Sequence, residues 1–160
     1  MTRTTTKATR PAPKRRTPAT KTRTPRSRMT TRTSNHTLVV VPKPAPRPRA
    51  ATIRGHAVMY DPADYKAHKL ALKSLLPTLD APALAGELRM DIEFVCEPIK
   101  KSKFTTPKGD LDNLAKPLMD VLTQEGWYGD DRQITALHLT KRFPALGEAP
   151  QINFKLTELT

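Results

Sequence analysis

The chain has 160 residues, enough for one domain with a sizeable core and an extension. It carries 28 Lys and Arg against 15 Asp and Glu, a net charge of +13, and no apolar run that would serve as a secretory signal or a membrane span. A single cysteine excludes an internal disulfide, and with four scattered histidines it makes no zinc-type ligand set.

The charge is unevenly placed. No acidic residue precedes Asp61, while 15 of the 28 Lys and Arg do; from Asp61 onward the remaining 13 basic residues face all 15 acids. The basic character therefore belongs to the front of the chain. Residues 1–36 are rich in Thr, Arg, Lys and Pro and nearly devoid of apolar side chains. Such a segment buries too little surface to offset its ordering entropy, so a disordered basic arm is expected there, with the domain in residues 37–160. An arm of this kind suits sequence-independent contact with nucleic-acid phosphates. A transit-like sequence, or an upstream start with Met29 as the usual initiator, are the competing readings.

Leu38-Val39-Val40-Val41 predicts a first strand, since β-branched residues favour the pleated surface. The proline-rich run Pro42 to Arg49 holds the chain extended and outside any sheet interior. A second strand is expected over Thr52–Tyr60, broken near Gly55. Asp61-Pro62 opens a helix predicted to reach Leu76, with Lys66, Lys69 and Lys73 spaced three and four apart as a basic face. Leu88, Met90, Ile92, Phe94 and Cys96 alternate with Arg89, Asp91, Glu93, Val95 and Glu97, the pattern of a half-buried strand. Cys96 falls on its apolar side, a core position in a reducing compartment. Gln133–Phe143 reads as a strand with irregular alternation, and Ile152, Phe154 and Leu156 mark a last one.

The stretch Pro107–Gln133, PKGDLDNLAKPLMDVLTQEGWYGDDRQ, carries the chemistry. Leu111, Leu114, Ala115, Leu118, Val121 and Leu122 form a helical stripe. Asp112 or Asn113 is a fitting N-cap, which would leave Pro117 near the first turn where it does little harm. Asp110-Leu111-Asp112 is then an extended lead-in whose two carboxylates point the same way. Gly126 and Gly129 bracket Trp127-Tyr128, and the chain is expected to turn back there into Asp130-Asp131 and return a third carboxylate to the first two. Converging carboxylates suit a hard cation such as Mg2+ or Mn2+. An acidic helix start and an acidic turn, both solvated, explain the same residues structurally. Lys116 has the two corresponding readings: a charge beside a phosphate, or an i,i+4 ion pair with Asp112 or Asp120. Lys100, Lys101, Lys103 and Lys108 precede the acidic motif, where they would draw phosphates in. His138 reads as a strand residue, because imidazole is a poor partner for hard cations.

The run DLDNLAKPLMDVLT, followed by GWYGDD and Gln133-Ile134, resembles the RusA family of Holliday junction resolvases. Its pattern, D-x-D-N-x-x-K, an Asp within the helix and an Asp-Asp pair after an aromatic-bearing loop, falls here at matching spacing. The resemblance is densest over Pro107–Phe143 and weaker over Val41–Tyr65 and the last strand. It implies catalytic, metal-binding carboxylates at Asp110, Asp112 and Asp131, an essential Lys116, and further acidic positions at Asp120 and Asp130, the latter an additional candidate ligand. It also makes Arg47, Arg49 and Arg54 candidate DNA contacts. One departure is Gly109, where a basic residue often precedes the first aspartate; Lys108 stands one place earlier.

The expected fold is α+β: a two-layer domain with a mixed β-sheet, helices on one face and the order β-β-α-β-α-β-β, preceded by the basic arm. The resemblance implies a homodimer acting on branched DNA with Mg2+ (or Mn2+), with no membrane attachment and no small-molecule cofactor, in the cytoplasm of a bacterium or a phage-infected cell. Its expected activity is that of a crossover junction endodeoxyribonuclease, which nicks opposed strands of a four-way junction symmetrically. A non-catalytic nucleic-acid-binding protein and a nuclease for other branched DNA are the alternatives.

Overall fold

A computed structural model describes residues 32–46, 49–53, 56–79, 81–100 and 103–159; residues 49–53 and 57–60 are described by their backbone. The elements are β1 (Thr33–Leu38), β2 (Arg49–Ile53), β3 (His56–Tyr60), α1 (Ala63–Leu75), β4 (Glu87–Val95), α2 (Leu111–Gln124), a 3-10 turn (Asp131–Gln133), β5 (Ile134–Arg142) and β6 (Gln151–Leu159). β1, β6, β4 and β5 lie side by side in that order in one mixed sheet, with β4 and β5 parallel and the other pairs antiparallel. The parallel pair is joined by a crossover through α2, the connection a parallel pair requires.

The alternation read from the sequence decides which face is covered. Leu88, Met90, Ile92 and Phe94 of β4 and Ile152, Phe154 and Leu156 of β6 are buried together with Leu114, Ala115, Leu118, Val121 and Leu122 of α2. Leu72 of α1 joins the same core. The opposite face is polar: Arg142 pairs with Glu93 at 2.9 Å and with Glu148 at 2.6 Å, and Asn153 donates to Glu93 at 2.9 Å. The irregular alternation over 133–143 has a local cause. The register slips between Leu88 and Arg89, so Thr135 is passed over as Ile134 and Ala136 pair with those neighbours.

Three expectations are corrected. The first strand is Thr33–Leu38, not Leu38–Val41. Leu38 is buried, but Val39 is 62% exposed, and beyond it the chain leaves the sheet toward α2. Polar Thr33–Thr37 hold the strand because β6 supplies a hydrogen-bonding partner and one face of this edge strand is solvated, as in the Thr37 Oγ1 bond to Asn153 at 2.9 Å. Residues 33–36, expected to end the arm, thus belong to β1. Second, the strand expected over Thr52–Tyr60 is a hairpin, β2 and β3 pairing with each other and, among the described residues, with no other strand. The main sheet therefore runs β-α-β-α-β-β, not β-β-α-β-α-β-β; the prolines after β1 remove backbone donors and lead the chain off the sheet.

The third correction sets the site. α2 is capped by Asp110, in extended conformation, rather than by Asp112 or Asn113. Pro117 is accordingly buried inside the helix and not in its first turn. Its missing N–H orphans the carbonyl four residues back. That carbonyl, of Asn113, accepts instead from the backbone N–H of Ala45 at 2.7 Å. The proline-rich segment is thereby docked on α2.

Candidate active site

α2 puts Asp112, Lys116 and Asp120 on one face, because residues four apart are neighbours on a helix. Asp110 and Asp112 stand at its N-terminus, where the helix dipole favours negative charge. Both are exposed, and Asn113 Nδ2 lies 3.5 Å from the Asp110 carboxylate. Lys116 Nζ is 3.3 Å from Asp120, so the i,i+4 pair considered in the sequence is made.

The far end of α2 is closed by a Schellman motif. Gly126, at φ +73°, donates to Thr123 and Trp127 donates to Leu122, at 3.1 and 3.0 Å. Trp127 and Tyr128 are buried, and the Tyr128 hydroxyl donates to the Met119 carbonyl at 3.1 Å. These anchors fix the loop that leads to Asp130 and Asp131. Asp130 caps the 3-10 turn, accepting from the Arg132 N–H at 2.9 Å, while the Gln133 side chain accepts from Asp130 N at 3.1 Å. The Arg132 guanidinium grips the Asp130 carboxylate through two contacts of 3.0 Å and holds its pKa down to about 2. Asp130 is thus committed to the turn, and the exposed Asp131 beside it is the better placed of the two to meet a ligand.

The carboxylates fall into two groups. Asp120, Asp130 and Asp131 line a concavity of about 240 Å³ with Thr123 and Gln124 of the last turn. Asp110 and Asp112 lie at the opposite end of a 14-residue helix, about 21 Å long at 1.5 Å per residue. One chain therefore does not bring Asp131 to Asp110 and Asp112. Among the described residues no group of three or more His, Cys, Asp or Glu is placed to hold a metal ion.

A second concavity, about 270 Å³, borders Lys116 and Asp120 on the other side and adds residues that motif reading missed. Tyr65, Lys69 and Asp61 reach it from α1 and its lead-in, with Ala45, Pro46 and Asn113. Burial, and then the charges of Asp120 and Asp61, push the Tyr65 hydroxyl up to about 12, so it stays a proton donor. Lys69 Nζ is 3.1 Å from Asp61 and 4.8 Å from the Tyr65 ring centroid. Only the basic spacing of α1 hinted at Lys69; the packing of α1 on α2 is what brings it here.

Of the candidate DNA contacts, Lys103 and Lys108 are exposed on the loop before α2. Arg49 opens β2, and Arg47, Arg54 and Lys101 lie outside the described residues. His138 sits on the polar sheet face, 3.7 Å from Asp91.

The outer face of α2 thus carries carboxylates and a lysine, and a capped turn carries a second acidic group; hard oxygen donors of this kind suit Mg2+ or Mn2+. The family model described as Endodeoxyribonuclease RusA matches residues 40–156, and the chain belongs to that family of crossover junction endonucleases. Nucleases of this family depend on a metal ion and act on branched DNA, the Holliday junction. No curated protein matches the chain. Among the described residues no helix is long and apolar enough to cross a membrane.

Proposed function

We propose that this chain resolves four-way junctions by paired, symmetric nicks, with Asp110, Asp112 and Asp131 as its metal-binding carboxylates. The observation that carries this is the helix face of Asp112, Lys116 and Asp120 in a chain of the RusA family. The residues fit Mg2+ or Mn2+: the donors are hard carboxylate oxygens, with no thiolate or imidazole among them. When bound, such an ion lowers the pKa of a coordinated water and offsets charge developing on the phosphate. Lys116 is the cation for the scissile phosphate or its leaving oxygen, exchanging its bond to Asp120 for one to DNA. Lys103 and Lys108, with Lys101, Arg47, Arg49 and Arg54, would draw the backbone toward the helix face. A cytoplasmic, DNA-associated location follows from that substrate.

The separation of the two acidic groups bears on assembly. A carboxylate ligand holds Mg2+ at about 2.0–2.1 Å, so groups at opposite ends of α2 cannot share one ion within a chain. A two-fold dimer satisfies both requirements. It lets Asp131 of a second copy meet Asp110 and Asp112, and it supplies two equivalent sites for the two opposed strands of a junction. Mixing tests this on a labelled junction in Mg2+, beside a linear duplex and an EDTA control. Asp112→Asn and Asp131→Asn are each inactive alone, and co-refolding them is expected to restore nicking. In the mixed dimer one composite site is intact and the other carries both changes. No recovery in a verified heterodimer would place all three ligands in one chain, and no metal-dependent cutting by the wild type would overturn the proposed function itself.

The basic arm is assigned to DNA as well. Residues 1–31 hold ten Lys and Arg and no acid, and they precede β1. Their deletion, which spares β1, is expected to weaken junction binding at low salt and to flatten the salt slope. For every phosphate that the arm neutralises, its removal takes about 0.9 from the slope of log K against log salt. Equal slopes for the full chain and the truncated one would remove the arm from the interface.

A further inference from the structure

We infer that Lys141 is a positioning residue for the catalytic end of α2; this rests on the reading of Asp110 as a metal ligand. On β5, Leu137, Leu139 and Lys141 pair with Met90, Ile92 and Phe94 of β4, so all three stand on the side of the sheet that carries the core, Leu137 exposed at this edge and Leu139 and Lys141 half-buried. The third apolar place in that row is thus taken by a lysine. An ammonium set on an apolar face is costly unless it is hydrogen-bonded. Here Nζ donates to the Gly109 carbonyl at 2.5 Å, and Lys141 takes part in none of the ion pairs among the described residues.

The bond falls where it controls the next residue. The Gly109 carbonyl and the Asp110 N–H belong to one rigid peptide plane. Holding that oxygen constrains the plane, and with it the Asp110 Cα from which the carboxylate extends. Gly109 itself sits at φ +93°, a conformation L side chains rarely adopt, so the chain reverses there with little intrinsic preference to hold it. Lys141 supplies the hold from the sheet. The role is that of an outer-shell partner, which orients a ligand and tunes the metal without touching it.

The test uses the full chain, with Mn2+ affinity read by the loss of the free-ion paramagnetic resonance signal and with junction binding measured in Ca2+. Lys141→Met keeps the apolar stem and removes the donor. Its Mn2+ dissociation constant is expected to rise roughly tenfold or more, the usual weight of an outer-shell partner. Cleavage should fall by a similar factor and recover partly at high Mn2+, while junction binding stays within about twofold, since phosphate contacts are made elsewhere. Lys141→Arg, which keeps a charged donor, should regain most of both. If Lys141→Met loses its cooperative melt, Lys141→Gln carries the same measurement, with a loss of Mn2+ affinity expected between those of Met and Arg. Asp110→Asn is run beside them. Wild-type Mn2+ affinity and cleavage in the folded Met or Gln variant, with Asp110→Asn inactive, would overturn the role of Lys141 alone. Normal cleavage by Asp110→Asn would overturn the metal reading beneath it.

Discussion

Asp112→Asn is expected to bind a four-way junction at least as well as the wild type and to fail to nick it. Asparagine nearly preserves the shape of aspartate, and Asp112 is exposed in the first turn of α2, so fold and helix persist. What is lost is one negative charge and one hard oxygen at the cation site. An outer-shell partner is worth 10–100-fold, so loss of a ligand itself should cost roughly two orders of magnitude or more in cleavage. Binding follows the opposite sign. Without a metal these carboxylates repel phosphate, and removing one relieves that repulsion. Asp110→Asn and Asp131→Asn should behave alike, although Asp110 caps α2 without a side-chain cap bond and Asp131 lies on a turn held by Asp130, Arg132 and Gln133. Binding measured in Ca2+ or EDTA and cleavage measured in Mg2+ on one preparation separate the two effects. Retained cleavage in all three variants would make the acidic helix start and turn structural features and nothing more.

Lys116→Ala is the second variant expected to lose cutting, by about 10²–10³-fold, the weight of a well-placed charge in a phosphoryl transition state. Its effect on stability separates the chemical role from the structural one. The bond to Asp120 joins a lysine side chain 61% exposed to a partly exposed carboxylate, a pair that contributes under about 1 kcal/mol. A thermal melt close to the wild type together with a collapse of cleavage assigns Lys116 to the phosphate. Near-normal cleavage would reduce it to a partner of Asp120. Asp120 sets the ammonium on the face it shares with Asp112.

Much of this is legible in the sequence because period and packing agree. Leu88, Met90, Ile92 and Phe94 alternate in the sequence and are buried in the structure, and the stripe from Leu114 to Leu122 is the buried face of α2. The common face of Asp112, Lys116 and Asp120 needs nothing beyond the spacing of four. The illegible features depend on partners remote in the chain. β1 begins at polar Thr33 because β6 is there to pair with it, which no propensity scale contains. The cap at Asp110 is hidden because Pro117 argues for a later helix start through the bond it destroys, and Ala45 repairs the consequence. Tyr65 and Lys69 enter the site through the packing of α1 on α2, and Lys141 through the register of β5 on β4. The distance between Asp131 and Asp110 cannot be read from a loop that turns back, since the whole length of α2 stands between them.

Pro117 leaves α2 with an unclaimed main-chain valence, and the chain has given that valence a use. The Ala45 bond to Asn113 lies one residue from Asp112 in sequence and just ahead of the run that leads to Arg47 and Arg49. The segment bearing candidate phosphate contacts and the helix bearing the carboxylates are thus indexed to one another by a main-chain bond. An alanine at 117 would mend the helix and loosen the index: a gain in local regularity at the expense of a reference point.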